Sequence, residues 1–269
     1  DGTGKGPGNT QQHEIIITHM LSRAGAGVSL YNDLIRLTSP RLVDDGVKIM
    51  QLARYDQLFL DEQFGDDSGG SVFELDVNRY ESGTTCCGVE GPKVAIPEQF
   101  TSGDIRNLGS NPENYRWYNL IKNHRDEQDF SPIVEMWQSF DLTGTALDDA
   151  TQQILDIDSW MRTFAFESLV QNYDVYSYGM EHNVTFYIRP SDGRIMAFPF
   201  DMDHSMKPPG WPGSTSAGLR GGANLAKIID LPHNLRIFYG HFDNFLDTSY
   251  NPTYMTSWIN YFQSLTGEN

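Results

Sequence analysis

The stretch Val184-Thr185-Phe186-Tyr187-Ile188, Pro190-Ser191-Asp192-Gly193, Arg194-Ile195-Met196-Ala197-Phe198 decides the fold, because it reads as a β-hairpin from end to end. The first run is β-branched and aromatic, as strands are. Pro190 presets φ and Gly193 accepts positive φ, so the middle four residues make a turn. Folding the chain about Ser191 and Asp192 sets Asn183 opposite Phe200 and Asp201 at the open end. Outward from there lie Asn172-Tyr173-Asp174, Glu181-His182-Asn183 and Phe198-Pro199-Phe200-Asp201-Met202-Asp203. In an extended segment residues i and i+2 point the same way, so Asp201 and Asp203 converge. Hard oxygen donors grouped in this way suit Mg²⁺ or Mn²⁺ carrying a phosphate.

Upstream, Asp158 reads as the N-cap of a helix through Val170, with Trp160, Phe164 and the Ser168–Leu169 pair on its buried side. Such a helix delivers Asn172 and Asp174 at its C-terminal exit, where rigid elements commonly hold functional loops. The order Asp174, Asn183, hairpin, Asp201 is similar in layout to protein kinases, which place an Asp, a metal-binding Asn, a short hairpin and a second Asp in succession. Asp174 and Asn183 are 9 positions apart, against about five in ordinary kinases, and neither His-Arg-Asp nor Asp-Phe-Gly is present.

At these residues the sequence resembles the spore-coat protein H (CotH-type) family of atypical secreted kinases. The resemblance rests on Ile157-Asp158-Ser159-Trp160, Asn172-Tyr173-Asp174, His182-Asn183, Asp192-Gly193 and Asp201-Met202-Asp203. Val47-Lys48-Ile49-Met50 through Tyr55 to Leu60-Asp61-Glu62, then Ser71-Val72-Phe73 and Leu231-Pro232-His233, extend it. It implies an α+β, atypical protein-kinase-like, two-lobed fold. In that fold a flexible lead-in (1–12) precedes a small N-terminal sheet lobe (13–78), a variable insertion (79–150) and a mainly helical lobe carrying the metal-site hairpin (151–269). It also implies transfer of the ATP γ-phosphate to Ser or Thr of secreted or surface coat-type proteins, with Mg²⁺ or Mn²⁺. The protein substrate is expected to be basic or rich in Ser, Thr and Lys, and the location extracellular or cell-surface. Asp174 would orient the acceptor hydroxyl. Asn183 and Asp201 would bind metal and nucleotide, Asp203 would share the metal or brace the loop, and Glu62 would face the nucleotide pocket.

The sequence departs from the family pattern at several positions. Phe200 stands where Trp is usual, Met206 where Gly often closes the motif, and Glu74 where Lys is common. Asp56 and Leu58 replace the Gly-Tyr before the upstream Glu. A basic segment, an Arg-Gly motif followed by a lysine-rich strand, is expected before residue 15 and is not visible there. The chain is accordingly expected to be a fragment of the domain or a member lacking that half.

Other readings of the same residues stay open. Asp174 fits a helix-stop turn, and Glu62 fits a solvated acidic strand end beside Asp61, Asp66 and Asp67. Asn183-Val184-Thr185 is the only glycosylation sequon, though a glycan there would obstruct the site. His182 and His204 flank the acidic residues without a third nitrogen or sulfur ligand at zinc spacing. Two other function classes compete with the kinase: an Asp-x-Asp nucleotide-sugar transferase, and a non-catalytic surface module with an acidic divalent-metal site.

Composition sets the frame. The 269 residues are 39% hydrophobic and 12% aromatic, enough to bury a sizeable core. A net charge of −17 argues against nucleic acid and anionic membranes, and favours cationic partners and divalent metal. No apolar run spans a bilayer, and no signal peptide opens the chain; oligomeric state is not encoded in any pattern. Cys86-Cys87 reads as two thiols rather than a vicinal disulfide, with no metal spacing. Gly4-Lys5-Gly6 lacks the following Ser or Thr of a phosphate-binding loop. Helices are expected at Gln12–Ala24, Asn114–His124, Ser131–Phe140, Leu235–Leu246 and Thr253–Leu265, and strands at Leu30–Leu37 and Val47–Leu60. Lys207–Gly222 reads as a long loop after the metal motif, in which Arg220, with Lys227 just beyond, is a candidate phosphate contact.

Overall fold

A computed structural model describes residues 12–25, 29–36, 38, 40–41, 48–51, 53–76, 79–81, 93–95, 104–116, 118–180, 182–206 and 222–266. The Gly-rich lead-in, Cys86-Cys87, Glu181, Trp211 and Arg220 lie outside them. In chain order the elements are α1 (Gln12–Arg23), β1 (Asp33–Arg36), β2 (Lys48–Gln51), α2 (Gln57–Phe64), β3 (Ser71–Leu75), β4 (Arg79–Glu81) and β5 (Lys93–Ala95). There follow α3 (Glu113–Arg116), β6 (Asn119–Ile121), α4 (Ser131–Ser139), α5 (Gly144–Ile154) and α6 (Ile157–Leu169). The chain closes with β7 (Val184–Ile188), β8 (Ile195–Pro199), α7 (Ala223–Ile229), α8 (Pro232–Thr248) and α9 (Pro252–Thr266). The class is α+β.

The central sheet is antiparallel in the order β6-β3-β7-β8, and β1–β2 and β4–β5 form separate two-stranded pairs. The hairpin takes the register expected of it. Val184 pairs with Pro199 and Ile188 with Ile195, and Gly193 sits at φ 69° in the turn. Because side chains alternate across a strand, the sheet has two buried faces. Phe73, Leu75, Val184, Phe186, Ile195 and Ala197 pack with α4, α5 and most of α6. Val72, Tyr187, Met196 and Phe198 pack with α1, α2 and residues of α8 and α9. Gly70 lies so close to the hairpin that a Cβ would sit 2.0 Å from the Ile188 carbonyl oxygen, so only glycine fits.

Helix α6 is the hub, buried on nearly every side. It lies along the outer edge of β8, where backbone pairing is limited to an isolated parallel bridge between Leu155 and Ile195. Trp160 Nε1 donates to the Ile195 carbonyl at 2.8 Å, and Thr163 Oγ1 and Ser159 Oγ donate to Ala197 O at 2.7 and 3.1 Å. Ala197 N returns a bond to Ser159 Oγ at 3.2 Å. Trp160 also stacks on Phe186 with ring centroids 5.6 Å apart.

Several expectations need correction. The N-cap of α6 is Asp156, whose carboxylate accepts from Ser159 N; Asp158 lies in the first turn and pairs with Arg162 and His241 instead. The span Val47–Leu60 is not one strand: β2 ends at Gln51, and Asp56 caps α2 by accepting from Phe59 N. The helix expected over Asn114–His124 is one short turn, α3, followed by β6, whose pairing with β3 overrides local propensity. Helices α5 and α7 were not anticipated at all. Among the described residues no helix is long and apolar enough to cross a membrane.

Asp156 also accepts from Arg189 Nη1 at 2.8 Å, tying the cap to the hairpin turn. Asp156→Ala is therefore expected to lower stability by about 1–2 kcal/mol, the usual cost of a lost cap, read from chemical denaturation midpoints at unchanged slope.

Candidate functional site

The exit of α6 turns sharply. Gln171 adopts φ 53° and Asn172 N donates to the Glu167 carbonyl at 3.1 Å, which closes the helix end. The buried Asn172 side chain then ties three segments together. Its Oδ1 accepts from Asp174 N at 3.1 Å, and its Nδ2 reaches the Asp201 carbonyl and Met202 Sδ, each at 3.4 Å. Asn183 Nδ2 donates to the Asp174 carbonyl at 2.8 Å. Met206 N donates to Val170 O at 2.8 Å, folding the 201–206 segment back against the helix end. Asp174, Asn183 and Asp201 thus gather at the open end of the β7–β8 hairpin.

Backbone geometry singles out the same place. Asn183 and Asp201 both lie in the left-handed region, at φ 59° and 49°, and Met206 lies there at 53°. Residues other than glycine enter that region at a cost, which Asn and Asp tolerate best. Strain of this kind concentrates at functional sites.

The local charge is strongly negative. Burial raises the Asp201 carboxyl above its ordinary pKa, and Asp203 and Asp174 add to the rise. Glu14, near the start of α1 and 5% exposed, is pushed up to about 7 by burial and then by Asp201 and Asp203. The histidines answer part of this charge. His182 Nε2 is 3.0 Å from Asp174 Oδ1, and His204 Nε2 lies 3.7 Å from Asp203 Oδ1 and 3.8 Å from Asp174 Oδ2. His204 Nδ1 is held by the Tyr173 hydroxyl at 2.5 Å. Both histidines therefore act as partners of the carboxylates.

Among the described residues no three His, Cys, Asp or Glu side chains are arranged to hold a metal by themselves. Magnesium is commonly bound through one or two carboxylates plus substrate phosphates and water, and Asp201, Asp203 and the Asn183 amide oxygen match that pattern.

Two cavities flank this end of the hairpin. One, of about 220 Å³, is lined by Glu14, Thr18, Leu21, Asn32, Asp201 and Met202 among others. The other, of about 530 Å³, runs along the sheet past Glu74, Lys122, Arg125, Thr185 and Arg54. Tyr55 and Phe200 border both. The Tyr55 hydroxyl donates to the Pro199 carbonyl at 2.6 Å, which fixes that shared wall.

Glu62 is placed differently from its expected strand end. It lies exposed on α2, and no hydrogen bond or ion pair among the described residues links it to the hairpin. Lys227 commits its ammonium to the Phe140 and Leu142 carbonyls, at 2.6 and 3.3 Å. Sequence reasoning missed Glu14 and Glu167. Glu167 is fully buried in α6, with Oε2 accepting from Ser177 Oγ at 2.6 Å and Oε1 unpaired among the described residues. Its seven-residue offset from Trp160 set it on the buried side of the helix, and that was the available signal.

Burial raises the Glu167 pKa from 4.5 to about 8. Between those values the folded state holds a proton that the unfolded chain releases, so stability falls as pH rises through that window and levels off above it. Glu167→Gln is expected to abolish this slope. The stability difference between the variant and the parent should widen from pH 4.5 to 8 and then stay flat in denaturation series.

A family model described as CotH kinase protein matches residues 49–263. No curated protein matches the chain.

Proposed function

The chain belongs to the CotH kinase protein family, and on that premise we propose that it is an atypical protein kinase, moving the γ-phosphate of ATP to a Ser or Thr hydroxyl of a coat-type or surface protein. One observation carries the reading. Asp174, Asn183 and Asp201 meet at one end of one hairpin, joined through the Asn183–Asp174 and Asn172–Asp201 bonds. The match with the family model spans most of the chain and includes all three. A two-lobed arrangement belongs to the same proposal, with α1 and the β1–β2 pair forming part of the smaller lobe.

Phosphoryl transfer asks little covalent chemistry of a protein; positioning and charge stabilisation do most of it. Asp174 accepts the hydrogen bond of the acceptor hydroxyl and takes its proton as the oxygen attacks the γ-phosphorus and ADP departs. His182, 3.0 Å away on Oδ1, holds that carboxylate in one orientation. Asp201, Asn183 and Asp203 would hold Mg²⁺ or Mn²⁺, which when bound neutralises phosphate charge. Burial first, and then the neighbouring carboxylates of Asp203 and Asp174, disfavour the charged form of Asp201, and a bound cation would favour it.

Asp201→Asn is expected to abolish metal-dependent ATP binding in calorimetry. Asp174→Asn should keep ATP affinity within about twofold and slow transfer to a basic, Ser/Thr-rich peptide by about 10²–10⁴-fold. Transfer by Asp174→Asn at the parental rate would remove that residue from the mechanism. Metal-dependent binding of UDP-glucose in place of ATP would move the chain to the sugar transferases, and binding of neither to the non-catalytic surface modules.

A further inference from the structure

A nucleotide triphosphate brings concentrated negative charge into a chain whose own net charge is −17. Near the hairpin the problem is sharper, since Asp174, Asp201, Asp203 and Glu14 already repel one another. One or two divalent ions offset only part of that, so the site needs fixed cations from the protein.

The 530 Å³ cleft supplies them. Its floor is one face of the sheet, where Val72 and Glu74 of β3 lie beside Thr185 of β7. Thr185 is two residues beyond Asn183, and Phe200, which separates the cleft from the chamber lined by Asp201, immediately precedes that residue, so the cleft lies at the same end of the hairpin as the proposed metal ligands. Its volume lies within the range of small-molecule sites, about 300–1,000 Å³. Lys122 follows β6 and sets its ammonium 2.8 Å from Glu74 Oε2. The Glu74 side chain is 13% exposed and that of Lys122 41%, so the carboxylate anchors the lysine from below and leaves its outer side open to the cleft. Arg54 and Arg125 border the same cleft, and among the described residues no carboxylate pairs with either. Asp56, the other acidic lining residue, is committed to the cap of α2.

We propose that Arg54, Lys122 and Arg125 receive the phosphates of the nucleotide in this cleft, with Glu74 as the positioning residue for Lys122. The assignment rests on the kinase reading of the hairpin. All three cations are exposed side chains outside the hydrophobic cores, so their removal leaves the fold intact, which thermal melting of each variant verifies.

The experiment is calorimetric binding of MgATP and of inorganic tripolyphosphate to the parent, to Arg54→Ala, Lys122→Ala and Arg125→Ala, and to Asp201→Asn. Each cation variant is expected to lose about tenfold in affinity for both ligands, as a charge-assisted contact to phosphate implies. Added salt should weaken the parent more than a variant carrying Arg54→Ala, Lys122→Ala and Arg125→Ala together. Glu74→Gln keeps the ammonium and removes its anchor, so it should weaken tripolyphosphate binding less than Lys122→Ala does. An equal or larger loss in Glu74→Gln would reduce Lys122 to a structural partner of Glu74 and overturn its role. Parental affinity in all three cation variants, with loss in Asp201→Asn, would overturn the cleft while leaving the kinase reading intact. Cation-dependent tripolyphosphate binding by a parent that neither needs metal for ATP nor transfers phosphate would support the cleft and overturn the kinase.

Discussion

The structure depends on how the outer edge of β8 is satisfied. An edge strand presents carbonyl and amide groups that must find partners, and here they are met by side chains of a helix and by one isolated backbone bridge at Leu155. Trp160, Ser159 and Thr163 bond to Ile195 and Ala197, so α6 cannot slide along the hairpin without breaking several bonds at once. That lock fixes the distance from the end of α6 to the open end of the hairpin. Asn172 can then reach the Asp201 carbonyl, and Asn183 the Asp174 carbonyl. The candidate site is thus a by-product of edge protection: the bonds that quiet the strand also set the spacing of the carboxylates.

The site itself works against stability. Left-handed backbone at Asn183, Asp201 and Met206, and the burial of Glu14 and Asp201 beside other carboxylates, are both unfavourable in isolation. They persist because two hydrophobic cores, one on each face of the sheet, over-determine the geometry between them. Buried Glu167 adds to the load, while its bond to Ser177 and its carbonyl bond to Asn172 secure both sides of the loop carrying Asp174. Local rules broken at a functional site, with compensation elsewhere, are what a protein under selection for activity should show.

Much of this was legible in the chain. The hairpin register followed from turn chemistry alone, since Pro190 and Gly193 leave the strands one way to pair. Helices α1, α4, α8 and α9 were visible in their periodicity. The errors have physical causes. Asp156 and Asp158 both suit a cap, and only Asp156 donates its own backbone N to the Ile195 carbonyl, which places it outside the helix. Asp56 begins a helix where the apolar spacing around Leu58 and Leu60 imitates a strand. β6 is three residues long and exists because β3 pairs with it, which no local pattern announces. The cleft cations come from positions 54, 122 and 125, and only the fold brings them together.

Tyr55 and Phe200 border both cavities, and this has a pharmacological consequence. A compound filling the smaller, largely apolar chamber behind Asp201 presses on the same two rings that bound the larger cleft. Where filling one chamber moves those rings, whatever factor such a compound applies to affinity in the cleft, a ligand in the cleft applies to the compound in return.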